Sequence, residues 1–233
     1  MLKQVTAAML AAAVCACAEG SGQDAPPAAE VAAVAEIAAP AGEYRLDPSH
    51  ASILVRADHF GLSHYTLRFT RFDVTLQLDP EDPTRSSVTA TIDPASIETD
   101  SPPTRADLVG ELRTSEWLNV AAHPEIAFRS TAITLTGADT ATMRGDLTFL
   151  GVTRPVDVFV TFNQSFAGDP YSPTGPSRLG VSATGAIRRS DFGLTNFLPT
   201  EEWPVAVGDE IDIVMELEFT GPAAPAANSS APA

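Results

Sequence analysis

Apolar and polar side chains alternate along most of the stretch from residue 143 to residue 162. One apolar face is carried by Met143, Gly145, Leu147 and Phe149, and the alternation resumes with Val156, Val158, Val160 and Phe162. A period of two is that of a strand with one buried face. Because Gly151–Arg154 interrupts the pattern and Pro155 ends it, the two halves are predicted to form an antiparallel hairpin with a short glycine-containing loop.

The same alternation recurs on both sides of this hairpin. It covers residues 44–46, 52–58, 65–78, 88–97, 126–135, 179–187 and 211–219. Two of these stretches change phase, near Thr70–Arg71 and between Phe128 and Ile133, and a bulge is predicted at the first of them. Asp47–Pro48 is predicted to be a turn. About eight short strands joined by turns indicate an antiparallel barrel or sandwich.

One helix is predicted, over about residues 105–116. Pro102 and Pro103 with their flanking hydroxyl residues suit a helix N-terminus, and Leu108 and Leu112 lie on one face. The helix would be a single excursion from an otherwise all-β domain.

Composition divides the chain into four segments. Residues 43–221 carry the alternating pattern and are predicted to form one domain. Residues 18–42 and 222–233 are rich in alanine and proline and have no aromatic residue, so they are predicted to be a disordered tether and a disordered tail. Residues 1–17 have a lysine followed by a short apolar run, which is the pattern of a secretory signal.

The signal segment ends in a motif that resembles a bacterial lipobox. In Val14–Cys17 an aliphatic residue stands three positions before a cysteine, which predicts lipidation of Cys17. Cys15 is the weaker candidate, and ordinary cleavage with an incidental cysteine is the alternative. Ala18 after the cysteine favours the outer over the inner membrane, so a periplasmic lipoprotein is expected. Both cysteines lie in this segment, so no disulfide is expected in the mature domain.

Charge argues against a nucleic-acid partner. The formal net charge is −16, and Lys3 is the only lysine. Loss of residues 1–16 would remove one positive and no negative charge, which gives −17. Such a field repels nucleic acid and anionic headgroups.

Candidate chemistry is sparse. The four histidines, His50, His59, His64 and His123, have no tight ligand spacing on one element, so no metal site is predicted. Gly61–Tyr65 lacks the second glycine of a nucleophile elbow, and no catalytic residues are assigned.

Residues 188–194 place two arginines, an acid and a phenylalanine directly after an apolar strand. This stretch has two interpretations, which are compatible. Arg189 and Asp191 could form a polar mouth that positions a headgroup, or Asp191 could pair with an arginine and hold a barrel corner.

Six segments in chain order are similar to motifs of the YceI-like domain, a polyisoprenoid-binding, lipocalin-like family. They are Tyr44–His50, His59–Gly61, Ser96–Thr99, His123–Thr131, Gly145–Val156 and Arg189–Gly193. Two positions depart from the family pattern: Glu111 stands in the helix where histidine is usual, and His123 precedes Pro124 where tyrosine is usual.

The resemblance implies an extended eight-stranded antiparallel barrel, lipocalin-like, around a long apolar cavity. Relatives resemble carriers of polyprenyl chains, isoprenoid quinones or fatty-acid derivatives, and some are linked to cytochrome b561-like membrane proteins. No enzymatic residues carry over. The expected function is therefore binding or transport of an isoprenoid lipid, with no other cofactor. A non-enzymatic envelope stress or interaction module with a filled core is the alternative, and a hydrolase or isomerase is a distant third.

Parity along the strands predicts which residues line the cavity, and His59, Arg189 and Asp191 are predicted at its polar mouth. The predicted lining is Phe69, Phe128, Leu147, Phe149, Val158, Val160, Phe162, Val181, Ala183, Gly185, Ile187, Phe192, Ile213 and Met215. Gly145, Ala183 and Gly185 are expected to leave room for a ligand because their side chains are small.

Overall fold

The computed structural model describes residues 35–99, 107–172 and 174–223, all within one compact unit. The predicted signal segment, the tether up to residue 34 and the tail from residue 224 lie outside the described residues.

Strands dominate the described residues. They are β1 (Gly42–His59), β2 (Ser63–Phe69), β3 (Phe72–Leu78), β4 (Ser87–Ile92), β5 (Ile97–Glu98), β6 (Ile126–Leu135), β7 (Thr140–Phe149), β8 (Val152–Phe166), β9 (Pro176–Arg188) and β10 (Val207–Ala223). One α-helix, α1, spans Leu108–Leu112, and 3-10 turns span Pro83–Arg85, Pro94–Ser96 and Arg189–Phe192.

Eight of the strands form a closed ring. The order is β10-β9-β8-β7-β6-β4-β3-β1, and β1 pairs with β10 to complete it. Every pairing is antiparallel. β1 is long enough to pair with β3 over Gly42–Arg45 and with β2 over Ile53–His59. The fold is thus a closed eight-stranded antiparallel barrel, which confirms the predicted fold class.

The hairpin predicted over residues 143–162 is present, with a tighter turn than predicted. β7 and β8 pair from Phe149↔Val152 to Thr140↔Thr161, and only Leu150 and Gly151 form the turn. Both have positive φ, at 49° and 74°, as in the two-residue turns that suit hairpins. Pro155 lies inside β8 and does not end the loop. It is tolerated because β9 pairs with β8 only from Val158 onwards, so the strand has an unpaired edge at the proline.

The long predicted strand at 65–78 is interrupted at the expected place, but as a break into two strands and not as a bulge within one strand. β2 ends at Phe69 and β3 begins at Phe72. The amides of Thr70 and Arg71 donate to Ser96 Oγ at 3.2 and 3.0 Å, which holds the bend. The phase change predicted in β6 corresponds to a register shift against β7, between Ser130 and Ala132.

Two further local predictions were wrong. Asp47–Pro48 does not end a strand, because β1 continues through it; the irregularity is a register shift against β10 between Leu46 and Ala51. The helix is shorter than residues 105–116. The Asp107 side chain accepts from the Gly110 amide at 2.8 Å and caps the helix at its start. After Leu112 the chain continues in turns.

The two ends of the barrel differ. We call the end with the β1–β2 and β9–β10 loops the mouth end, and the end with the β6–β7 and β8–β9 loops the tether end. Residues 35–41 pack at the tether end: the Ala35 amide donates to Ala138 O at 2.7 Å, and the Ala38 amide to Ser165 Oγ at 2.9 Å. Ala39 is 1% exposed. Buried apolar side chains form two clusters, one towards each end of the barrel. Phe72 and Met215 pack against both clusters.

Candidate functional site

A cavity of about 660 Å³ runs through the barrel. His59, Phe60 and Phe197 line it at the mouth end, and Ala35 and Ile37 line it at the tether end. The lining is predominantly aliphatic and aromatic and comes from nearly every strand. A void of this size lies in the range of ligand sites, roughly 300–1,000 Å³. The barrel is therefore not filled by its own side chains.

Thirteen of the fourteen residues predicted to line the cavity do so. They are Phe69, Phe128, Leu147, Phe149, Val158, Val160, Phe162, Val181, Ala183, Gly185, Ile187, Ile213 and Met215. Phe192 does not: it is 3% exposed and its ring packs 5.6 Å from that of Phe149. It lies in the 3-10 turn after β9, where the side-chain parity of a strand no longer applies.

The small residues on β9 leave space, as expected, whereas Gly145 does not. Ala183 lies between Val160 and Met215 on the neighbouring strands, and Gly185 between Val158 and Ile213. At Gly145 the ring of Phe128 occupies the position that a β-carbon would take. Gly145 thus serves the packing of an aromatic side chain in the wall.

Arg189 holds the corner between β9 and β10. It is 2% exposed. Its guanidinium donates to the carbonyls of Gly208 at 2.9 Å, Leu194 at 3.1 Å, Asn196 at 2.6 Å and Val207 at 3.0 Å. Burial lowers the pKa of Arg189, and the nearby Asp209 carboxylate partly offsets this. The guanidinium borders the cavity but already has backbone partners.

Asp191 does not lie at the cavity mouth. Its side chain is exposed outside the barrel, and its carbonyl accepts from Arg154 Nε at 3.2 Å. An ion pair between Asp191 and Arg189 is therefore not what holds the corner. The acid that supports the turn is Asp209, which accepts from the amide and hydroxyl of Ser190 at 3.0 and 2.8 Å.

His59 does lie at the mouth. It ends β1, pairs with Val207, and its ring meets that of Phe60 edge-on at 4.7 Å. His64 pairs with Asp58 across the same hairpin. Among the described residues, only Asp47, His50 and Glu218 form a group close enough to share a metal ion. Asp47 there already binds Arg178 at 2.6 Å, so the group is accounted for as an ion-pair network.

Residues 108–117 cover one side of the mouth, and the sequence did not reveal this. Leu108 and Leu112 of α1 line the cavity, as does Trp117 beyond it. The Trp117 ring stacks on Phe197 with centroids 5.9 Å apart, and the Asn196 side chain donates to Glu116 O. The four-residue spacing of Leu108 and Leu112 was the available signal, since it marks an apolar helix face.

A polar cluster that sequence reasoning also missed lies at the tether end. Tyr44 is fully buried, donates to Pro40 O at 2.7 Å and accepts from Ser177 Oγ at 2.8 Å. Burial raises the pKa of Tyr44. Nearby, the Arg178 guanidinium lowers the pKa of Asp47 to about 2, with a further contribution from His50. These contacts fix residues 35–44 against the barrel.

Comparison with known proteins agrees with this architecture. The family model of the YceI-like domain matches residues 44–219. Protein YceI of Salmonella arizonae and that of Salmonella heidelberg are each 33% identical over 180 residues, covering 76% of this chain and 86% of theirs. The sequence match thus extends over nearly the whole of the closed antiparallel barrel that encloses the apolar cavity. The chain belongs to the YceI-like domain family.

Solved structures share the fold. BcnA of Burkholderia cenocepacia superposes with a TM-score of 0.61 at 23% identity, covering 74% of this chain and 98% of that chain. A YCEI protein of Campylobacter jejuni gives 0.58 at 22%, over 70% and 88%. A polyisoprenoid-binding domain from Saccharophagus degradans, implicated in plant cell wall breakdown, gives 0.55 at 12%, over 78% and 100%.

Among the described residues, none of the helices is long and apolar enough to cross a membrane.

Proposed function

We propose that this protein binds an isoprenoid lipid, a polyprenol or an isoprenoid quinone, or a similar amphiphile in its barrel. The observation that carries the proposal is the continuous apolar cavity of about 660 Å³ between the mouth and the tether end. A structural neighbour of the same fold is described as a polyisoprenoid-binding domain. The cavity also argues against the alternative of an interaction module with a filled core.

Burial of the chain alone can supply the affinity. At about 0.8 kcal/mol per buried CH₂, one five-carbon unit is worth roughly 4 kcal/mol at best. Three units reach the roughly 12 kcal/mol of a nanomolar complex, before the costs of association are subtracted. Because the lining offers few polar groups, specificity for the chain depends on cavity shape, and the headgroup is selected at the mouth.

The site favours binding over catalysis. Catalysis by general acid or base needs a titratable group aimed at a reacting atom. Arg189, the most deeply buried charge beside the cavity, has its donors committed to four backbone carbonyls. The proposal is therefore a binding or transport protein and not an enzyme.

The cellular setting belongs to the same proposal. A signal segment with acylation at Cys17 would hold the barrel in the periplasm, on the outer in preference to the inner membrane. If the ligand is a quinone, a cytochrome b561-like membrane protein is a partner of suitable chemistry. Both statements rest on the sequence motifs and on the resemblance.

Titration with candidate ligands tests the binding proposal. Purified, delipidated protein is mixed in detergent with a polyprenol, an isoprenoid quinone and a fatty acid, and complexes are counted by native mass spectrometry. We expect uptake of about one prenyl ligand per barrel. Failure to take up any of the three would contradict the proposal and favour the interaction module.

A further inference from the structure

Large hydrophobic side chains are exposed together at the mouth end. Five of the eight such side chains in the described residues lie on the β1–β2 and β9–β10 loops. We call them the apolar rim: Phe60, Leu62, Phe197, Trp203 and Val205, with exposures of 40, 83, 64, 70 and 56%. A cluster of this kind is costly to leave in water, and such patches mark interaction sites.

The two loops form one built surface. The Phe60 amide donates to Ala206 O at 3.0 Å, and the Val207 amide donates to Phe197 O at 3.1 Å. A tight turn presents Trp203: its amide donates to Thr200 Oγ1, and its carbonyl accepts from the Thr200 amide at 2.9 Å. These contacts therefore fix the backbone of the two loops that carry the hydrophobic side chains.

Two of the rim residues have an unusual backbone. Phe60 and Phe197 have φ of 59° and 55°, a region that bulky residues rarely adopt. Such conformations persist where surrounding contacts impose them, and they cluster at ligand clamps and functional loops. Their positions are thus set by the loop architecture and not by local preference.

The rim is continuous with the cavity. Phe60 and Phe197 line the cavity as well as facing solvent, whereas Leu62, Trp203 and Val205 face solvent only. An apolar ligand that entered at this end would pass directly from the rim to the lining. We propose that the apolar rim inserts into the headgroup–acyl boundary of a lipid bilayer, where the cavity takes up and releases its ligand. This inference rests on the proposed lipid-binding function.

Charge indicates which bilayer surface fits. Glu201 and Glu202 directly precede Trp203 and are exposed, and the chain carries a formal net charge of −16. Anionic headgroups would repel this face, whereas a zwitterionic surface would not. Tryptophan is enriched at membrane–water interfaces, and segments that lie in the interface bury tryptophan, phenylalanine and leucine there. A zwitterionic bilayer is therefore the occupant that both the hydrophobic side chains and the charges fit.

The chain is long enough for the rim to reach the bilayer. It enters the barrel at Ala35, at the tether end, and residues 18–34 separate Ala35 from Cys17. Seventeen residues span at most about 60 Å, while the 13 residues of β9 rise by about 43 Å. A chain anchored at Cys17 could thus turn its mouth end towards the membrane that holds it.

Fluorescence quenching by brominated acyl chains tests insertion. The full acylated chain carrying Trp117→Phe, with Trp203 as sole tryptophan, is reconstituted in phosphatidylcholine vesicles. The matched control carries Trp117→Phe, Trp203→Phe and Phe159→Trp, which moves the reporter to an exposed position on β8 in the barrel wall. We expect bromolipid to quench Trp203 emission by about half and the residue 159 reporter hardly at all. Weaker quenching is expected in phosphatidylglycerol vesicles.

Equal quenching of the two reporters, or none of Trp203, would overturn the inference; the latter would point to a protein partner. A second variant separates the inference from the binding function. Leu62→Ser/Val205→Ser changes the rim outside the cavity lining, so it should keep prenyl-ligand uptake in detergent and slow transfer from vesicles by about tenfold. Unchanged transfer by this variant would count against insertion of the apolar rim into the bilayer. Failure of the wild type to take up the ligand in detergent would count against the binding function.

Discussion

Narrowing the cavity at Ala183 should displace the ligand while the barrel remains folded. Ala183 is 5% exposed, lines the cavity and lies between Val160 and Met215. It is a better site than Gly185, where a β-carbon would lie 3.3 Å from Asp157 O and the backbone would have to shift. In Ala183→Leu the added carbons enter the cavity from a position that already carries a side chain.

The size of the effect follows from the ligand atoms that leucine excludes. Three added carbons displace at least as many ligand carbons, and at most they block a five-carbon unit. At about 0.8 kcal/mol per CH₂, the loss is about 2.4–4 kcal/mol, or roughly 50- to 900-fold in affinity. The free energy of unfolding should change by no more than about 2 kcal/mol, because the new side chain enters a void.

Thr184→Leu is the matched control, since residue 184 is the next position on β9 and faces solvent. Native mass spectrometry of both variants with a polyprenol measures occupancy, and urea unfolding measures stability. Ala183→Leu should lose the ligand, and Thr184→Leu should keep it. Equal occupancy in the two variants at matched stability would refute the assignment of the cavity as the ligand site.

Three further outcomes are expected. Arg189→Met should lower the free energy of unfolding by about 3 kcal/mol or more, since buried carbonyls lose their donor. Asp191→Ala should cost no more than about 0.5 kcal/mol in the same urea titration, because the Asp191 side chain is exposed. Similar losses in the two variants would contradict the role given to Arg189. Arg178 lowers the pKa of Asp47 to about 2, so the ionised carboxylate stabilises the fold above its unfolded pKa near 4. The stability advantage of wild type over Asp47→Asn should therefore shrink by up to about 2 kcal/mol between pH 5 and pH 2. A constant difference in urea midpoints over this range would argue against the ion pair. Cys17→Ala should release the protein from membranes on fractionation; unchanged membrane partition of a processed protein would refute acylation at Cys17.

Alternation along the chain was enough to predict most of the barrel. Strands with one face on the cavity and one in water keep a strict period of two, so lining residues such as Val181 and Ile213 could be assigned by parity alone. The break at Thr70–Arg71 was visible because a bend shifts the phase of the pattern. The same parity failed at Phe192, where a 3-10 turn replaces the strand.

Features that depend on contacts distant in sequence could not be predicted. Arg189 binds carbonyls up to 19 residues away, and nothing in its neighbours identifies those partners. Residues 35–41 lie in a segment with a low-complexity composition, yet Ala39 is buried because Tyr44 and Ser165 provide hydrogen bonds to that segment. Composition describes how a segment behaves alone, and long-range hydrogen bonds can override it.

The central claim is that the barrel carries an apolar isoprenoid chain. Mass spectrometry of an organic extract of the protein purified from cell envelopes tests it most directly, with Ala183→Leu protein prepared in parallel. We expect a polyprenol or isoprenoid quinone at about one equivalent per barrel in the wild type and a marked loss in the variant. A wild-type extract free of any such lipid, from protein that also fails to take it up in detergent, would contradict the account.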